Sequence, residues 1–296
     1  LPVEREIDVR ISQVRIDKGT QKAENPKTGD AWVIRCVGTN ASGNDCGTIT
    51  EAANAVDSDI ILVADGTSLD LSGESLALPE DAILSNGGNA PNLDTPYGTA
   101  DLGDIYGAGN ANNRPAIING TLTVASDSAI EGFDFTNASI TNRSTSDVRI
   151  QNNTFTGSSN GEGAIVFDGA TDVLIAGNTI TNPNTSALDG DPNGSLIGRG
   201  IAVKNGNNIR ITNNSVKGAT GEGIYIENIG TSSSNTVSNN TVSDMRVGVD
   251  TNLEAGVFVR NNKDGYIAIT GNIVKDNNQE SGVGAPTSRG LIGQNA

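Results

Sequence analysis

Val148-Arg-Ile-Gln-Asn-Asn-Thr-Phe155 is the stretch that decides the fold. Its pattern returns four times: in Val173-Leu-Ile-Ala-Gly-Asn-Thr-Ile180, Ile209-Arg-Ile-Thr-Asn-Asn-Ser-Val216, Asn235-Thr-Val-Ser-Asn-Asn-Thr-Val242 and Ile267-Ala-Ile-Thr-Gly-Asn-Ile-Val274. The template is apolar-x-apolar-x-(Asn or Gly)-Asn-x-apolar. Its constant residues are Asn153, Asn178, Asn214, Asn240 and Asn272, spaced 25, 36, 26 and 32 apart. Ile130-Glu-Gly-Phe-Asp-Phe135 fits as a degenerate earlier copy.

A second short strand precedes each of four copies: Gly163-Ala-Ile-Val-Phe167, Gly200-Ile-Ala-Val-Lys204, Gly223-Ile-Tyr-Ile-Glu227 and Gly256-Val-Phe-Val-Arg260. Each unit therefore reads Gly, strand, polar turn, strand, Asn turn. Short alternating strands repeating at a floor of roughly 20–25 residues predict an all-β parallel solenoid. One coil cannot bury its own apolar face, but stacked coils can. Asn tolerates left-handed backbone at the corners. Its side chains, repeated at the strand spacing, can hydrogen-bond up the stack as an Asn ladder.

On these repeats the chain resembles the right-handed parallel β-helix, or pectate-lyase-like, superfamily. The N-terminal part fits the resemblance. Gly47 to Val56 reads as a short helix, with Thr48 and Glu51 as a capping box. Ile49, Ala52, Ala53 and Val56 share one face of it. Asp59-Ile-Ile-Leu-Val-Ala-Asp-Gly66 then reads as a buried strand ending in a turn. The resemblance implies a right-handed β-helix over residues 31–280, closed by that N-terminal capping helix. Residues 1–30 are expected to be an N-terminal strand, cap or linker segment, and 281–296 a flexible tail. Residues 86–115 have little periodicity and read as a long excursion from one coil.

Composition narrows the chemistry. The 296 residues include 37 Gly and 36 Asn, no histidine and 3% aromatics, with a net charge of −16. The absence of histidine removes the Ser-His-Asp triad, the Cys-His pair and the histidine zinc sites. The acidity argues against nucleic acid and against anionic lipid. No run of about 18 apolar residues is present, so no transmembrane helix is expected. Cys36 and Cys46, ten apart, fit either two free thiols or a short disulfide-closed loop; the latter suits an exported, secreted or cell-surface protein. No signal peptide is visible, which reads as a mature form. The Asn-x-Ser/Thr triplets at Asn137 and Asn142 are what chance supplies in so Asn-rich a chain.

Strand alternation places Ile201, Val203, Ile224, Ile226, Val257 and Val259 inward. Aligning the strands on their leading glycines stacks three outward columns. They are Glu162/Arg199/Glu222/Ala255, Ile165/Ala202/Tyr225/Phe258 and Phe167/Lys204/Glu227/Arg260. Tyr225 and Phe258, flanked by Arg199 and Glu222, form a candidate sugar-binding face. In a lyase, Arg199, Lys204 or Arg260 would act as base or carboxylate neutraliser, and Tyr225 would move a proton. In a hydrolase, Glu222 and Glu227 would be the paired acids. The plainer reading is a structural charge ladder, in which alternating signs relieve repulsion between coils. The superfamily's pectate lyases carry a dense carboxylate cluster for calcium, and no such cluster stands on these strands. Its alginate epimerases and many of its hydrolases use a histidine, which this chain lacks.

Asp189-Gly-Asp-Pro-Asn-Gly194 matches the first half of a calcium loop, with Asp189, Asp191 and Asn193 as oxygen donors. Position twelve is Gly200, so the bidentate carboxylate is missing. A plain solvated turn fits equally. No cofactor is required, and calcium is the one this loop suggests. The expectation is a non-enzymatic extracellular or cell-surface β-helix protein. It would be adhesin- or passenger-like, or a unit of a surface layer or fibre, with an extracellular glycan or cell-surface partner. Self-association would use solenoid ends or edges. The alternative is a polysaccharide lyase or other carbohydrate-active enzyme on an acidic polysaccharide. A phage or virus fibre, which would need trimerisation, is a third reading.

Overall fold

Each copy of the Asn template folds as two short strands meeting at a corner, and the copies stack in register. The computed structural model describes residues 5–8, 11–16, 21–22, 33–38, 60–63, 66–73, 75–78, 80, 82–86, 92–95, 98–101, 114–142, 144–183, 198–231, 234–245, 255–261, 266–275 and 289–295. All regular structure within them is strand. The expected capping helix, 47–56, lies outside the described residues.

The stack has three faces. The first carries Ser146–Gln151, Thr171–Ala176, Asn207–Thr212, Thr236–Ser238 and Ala268–Thr270. The second carries Thr154–Thr156, Thr179–Thr181, Ser215–Lys217, Thr241–Ser243 and Ile273–Lys275. The third carries Gly163–Asp168, Arg199–Lys204, Ile224–Glu227, Ala255–Asn261 and Arg289–Asn295. Neighbouring coils pair in parallel on every face. Earlier in the chain, the eight-residue strands Ala116–Thr123 and Asp134–Thr141 span both the second and third faces. On either side of them the two faces are carried by separate strands, Ser68–Asp70 and Ser75–Ala77 on one side and Thr154–Thr156 and Gly163–Asp168 on the other.

At the N-terminal end, Arg5–Asp8 and Ile11–Ile16 form an antiparallel pair, and the second of these joins Val33–Val37 antiparallel. Within 281–296, read from sequence as a flexible tail, Arg289–Asn295 instead adds a parallel strand to Ala255–Asn261. Within the 86–115 excursion, Asn92–Thr95 and Gly98–Asp101 form their own antiparallel pair.

The core is a set of columns of like residues. Ile117, Phe135, Phe155, Ile180, Val216, Val242 and Val274 are consecutive partners on the second face. Phe135 and Phe155 stack at 4.5 Å and 10°. Ile130, Ile150, Ile175, Ile211, Val237 and Ile269 run up the first face. A parallel stack makes such columns unavoidable, because position n of one coil lies over position n of the next.

The corner between first and second faces explains the repeat. Asn152, Gly177, Asn213, Asn239 and Gly271 all have φ between 53° and 66°. The next residue is the ladder Asn. Its Nδ2 donates to a carbonyl of the preceding coil, as Asn178 Nδ2 does to Ile150 O at 2.9 Å. Its Oδ1 accepts from the backbone N–H of the ladder Asn before it. Asn153 N–H donates to Asn178 Oδ1 (3.0 Å), Asn178 to Asn214 (2.9 Å), Asn214 to Asn240 (2.9 Å) and Asn240 to Asn272 (2.9 Å). The ladder read from the sequence is thus continuous through five coils. It satisfies backbone groups that a sharp corner would otherwise orphan inside the core.

Candidate functional site

The third face holds the charged and aromatic residues singled out above. Its strands follow those of the second face, with 17 residues of sequence, 182–198, before Arg199–Lys204 and 11, 244–254, before Ala255–Asn261. The register corrects all three expected columns, Gly163 taking the place of Glu162 beside Arg199 in the first. Gly163 pairs with Arg199, not with Gly200. The aromatic column is therefore Val166/Ala202/Tyr225/Phe258, with Val166 in place of Ile165. The charged column is Asp168/Lys204/Glu227/Arg260, with Asp168 in place of Phe167. Ile165 and Phe167 face the core. Leading glycines were the wrong anchor. The far turns align the strands correctly, since Gly169, Asn205 and Asn228 all take left-handed φ directly after Asp168, Lys204 and Glu227. With that anchor, the charged column alternates in sign at every step.

The aromatic column faces outward yet is closed off. Val166 is 7% exposed, Ala202 0%, Tyr225 7% and Phe258 2%. The two rings stack with centroids 5.5 Å apart and planes 5° from parallel. The sheet is thus apolar and buried on both faces here, as parallel sheets commonly are.

Two charges are buried with the rings. Arg199 Nε lies 2.6 Å from Glu222 Oε2, and the two side chains are only 9% and 8% exposed. The Arg199 guanidinium carbon sits 4.0 Å from the Tyr225 ring centroid, a cation–π contact in a desolvated setting. Tyr225 Oη donates to Glu227 Oε2 at 2.7 Å. Arg260 stands 3.6 Å from Glu227 on the other side. Lys204 Nζ donates to both Glu162 carboxylate oxygens at 3.0 Å.

This arrangement limits the chemistry. Burial, and then the hydrogen bond to Glu227, push the Tyr225 phenol well above its ordinary range. Tyr225 is therefore a fixed donor, poorly placed to serve as a base. Glu222 stands just before the strand Ile224–Glu227, and Glu227 at its end. Each carboxylate is also engaged by its own cation.

Asp189, Asp191, Asn193 and Cys46 lie outside the described residues, so the calcium loop and the disulfide remain expectations. Among the described residues there is no group of three or more His, Cys, Asp or Glu placed to hold a metal. No helix among them is long and apolar enough to cross a membrane. The sequence reading missed Arg114. It donates through Nε to Gly132 O (3.1 Å) and through Nη2 to Phe133 O (3.2 Å) and Asn152 O, with Asp134 3.5 Å away. It ties down the corner of an early coil. Arg114-Pro115 just before the Ala116 strand was the signal available for it.

No curated protein matches this sequence. Among solved structures, the enzymatically active domain of tailspike protein 2 from bacteriophage CBA120 is similar at 15% identity, with a TM-score of 0.47, over 88% of this chain and 42% of that one. The full-length tailspike protein 2 from an Escherichia coli O157:H7 bacteriophage is similar at 14% identity, with a TM-score of 0.33, over 81% of this chain and 34% of that one. The chain thus spans less than half the length of either. The model of the right-handed β-helix region matches residues 112–292, which contain the Asn ladder and all three faces. The chain belongs to the right-handed β-helix family.

Proposed function

We propose that this chain is a non-catalytic, exported β-helix. It would serve outside the cell as an adhesin- or passenger-like segment, or as a unit of a surface layer or fibre. The observation that carries the proposal is the closure of the third face. Arg199 is held by Glu222, Lys204 by Glu162, and Glu227 by both Tyr225 and Arg260. Tyr225 and Phe258, the rings a sugar would need, are nearly inaccessible. Side chains that would attack or protonate a substrate are committed to one another. The Cys36/Cys46 spacing and the net charge of −16 suit the cell exterior.

The test is a turnover screen of the intact chain on polyuronates and neutral glycans, reading unsaturated product and new reducing ends. The expected result is no turnover. Turnover that disappears in Arg199→Ala or Glu222→Ala, with the circular dichroism of each variant unchanged, would overturn the proposal in favour of a polysaccharide lyase or hydrolase.

A further inference from the structure

The stack closes differently at its two ends. At the N-terminal end the first face runs on past the others: Val33–Val37 is followed outward by Ile11–Ile16 and Arg5–Asp8, joined antiparallel. The second and third faces begin later, at Ser68–Asp70 and Ser75–Ala77. At the C-terminal end all three faces stop with the same coil. Ala268–Thr270, Ile273–Lys275 and Arg289–Asn295 are the terminal strands of their sheets. That end is therefore flush, and it presents three strand edges without a neighbour among the described residues.

The flush end is also apolar. Core columns that are fully buried one coil earlier, at Val237 and Val242, finish at Ile269 and Val274, which are only partly buried. Among the described residues the exposed large hydrophobics are Tyr266 (56%) and Ile273 (55%), both on this coil. Asn235 Nδ2 donates to the Tyr266 carbonyl at 3.0 Å, which fixes the backbone carrying that ring. The three edge strands carry Lys275 and Arg289 and no carboxylate, in a chain of net charge −16. Asp264 and Asp276, the carboxylates nearest in sequence to 266–275, lie outside the described residues. A flat, apolar, unpaired strand edge is a template for pairing with another chain.

What fits this end must offer three free edges in the same arrangement, with apolar columns that end opposite these. The N-terminal end of a second copy fails, because its overhanging first-face strand stands where Ala268–Thr270 needs a partner. The C-terminal end of a second copy succeeds. A two-fold axis perpendicular to the stack, through the middle of the second face, turns Ile273–Lys275 antiparallel to its own copy. The same rotation sets Ala268–Thr270 antiparallel to the partner's Arg289–Asn295. Inward residues stay inward, so Val274 carries the core on to the partner's Val274. Ile273 then lies beside the partner's Lys275, whose methylene stem covers it while the ammonium stays in water. Such an isologous contact closes at two copies.

We propose that two copies of this chain join end to end through the last coil, about this two-fold axis, into one continuous solenoid core. The contact uses none of Arg199, Glu222, Tyr225 and Phe258, and it stands whether or not the third face is catalytic.

The test is sedimentation velocity and small-angle scattering on the 296-residue chain over a dilution series. Four proteins are compared: wild type, Ile273→Lys, Tyr266→Ser and the control Thr241→Lys. The control adds the same charge at the position in register with Ile273, one coil further in. The expected wild type is a concentration-dependent dimer, longer than the monomer by about one stack. Its dissociation constant should rise at least about tenfold in Ile273→Lys and in Tyr266→Ser, the scale of one well-buried interface residue, and stay unchanged in Thr241→Lys. If the circular dichroism of Ile273→Lys departs from wild type, Tyr266→Ser alone decides. A wild type that stays monomeric at every concentration overturns the proposal, as does a dimer no longer than the monomer or growth past two copies. So does undiminished association in Tyr266→Ser, or equal weakening by Thr241→Lys.

Discussion

Asn178→Ala is the perturbation that the corner geometry predicts most sharply. The side chain is 0% exposed. Its Nδ2 donates to Ile150 O at 2.9 Å and to Asn214 Oδ1 at 3.0 Å. Its Oδ1 accepts from Asn153 N–H at 3.0 Å and from Asn153 Nδ2 at 3.2 Å. In the alanine variant, two of the four partners keep an alternative. Asn153 Nδ2 still reaches Ile130 O, and Asn214 Oδ1 still receives the Asn178 backbone N–H. The Ile150 carbonyl loses this side-chain donor, and the Asn153 amide loses its acceptor, in a site closed to water. At roughly 1–3 kcal/mol for each buried polar group left unsatisfied, the variant should lose about 4 kcal/mol. Asn272→Ala removes three corresponding bonds at the end of the ladder, where the side chain is half-buried and water can replace them. It should lose about 1 kcal/mol, the net worth of exchanged hydrogen bonds. Urea unfolding followed by circular dichroism measures both, with m-values checked for equality because a stack can melt coil by coil. Equal losses in the two variants, or a loss below about 1 kcal/mol for Asn178→Ala, would refute the claim that the ladder serves buried backbone groups.

Three further outcomes follow from the same geometry. Gly177→Ala should destabilise by more than about 1 kcal/mol, because φ is +66° and a Cβ would lie 2.5 Å from Asn152 Oδ1; thermal melts against a Gly73→Ala control, at an open position with φ +82°, isolate the clash from the backbone strain. Arg199→Ala should cost about 3–5 kcal/mol by leaving Glu222 buried and unpaired, whereas Arg199→Met/Glu222→Leu should cost far less, and urea midpoints read the difference. Because the folded-state pKa of Tyr225 is raised, its contribution is fully present below the ordinary tyrosine value of about 10 and is lost as pH rises beyond it, where the unfolded chain ionises first. Wild-type Tm should therefore fall more steeply than that of Tyr225→Phe between about pH 10 and 11.

The parts of this molecule that were legible in the sequence are those that a stack forces to repeat. Asn153 through Asn272 are recognisable because one backbone problem recurs at every corner and Asn solves it each time. Outward and inward assignments at Ile201, Val203, Ile224 and Tyr225 also held, since alternation within a strand needs no knowledge of its neighbours. The register of Gly163 was not legible. Two glycines near that corner answer different needs. Gly200 and Gly223 have no room for a Cβ against core valines and the next coil's carbonyl, while Ala164 fills that place one coil earlier. Matching glycine to glycine therefore slipped the strand by one and exchanged Val166 for Ile165 and Asp168 for Phe167. The burial of the patch was not legible for a related reason. Period-two alternation says that Tyr225 and Phe258 leave the solenoid core, but carries no information about what they meet beyond it. A second small core outside the first looks, in sequence, the same as an exposed aromatic face.

The claim on which the functional reading rests is that the third-face patch holds the protein together instead of holding a ligand. The Tyr225→Ala/Phe258→Ala double variant tests it in one unfolding and binding measurement on the intact chain. Loss of two buried rings predicts a destabilisation of several kcal/mol, on the scale of about 3–5 kcal/mol for one buried aromatic, with any glycan binding of the wild type retained in the folded variant. Unchanged stability together with lost glycan binding would mean that the rings face a ligand, and would contradict the account.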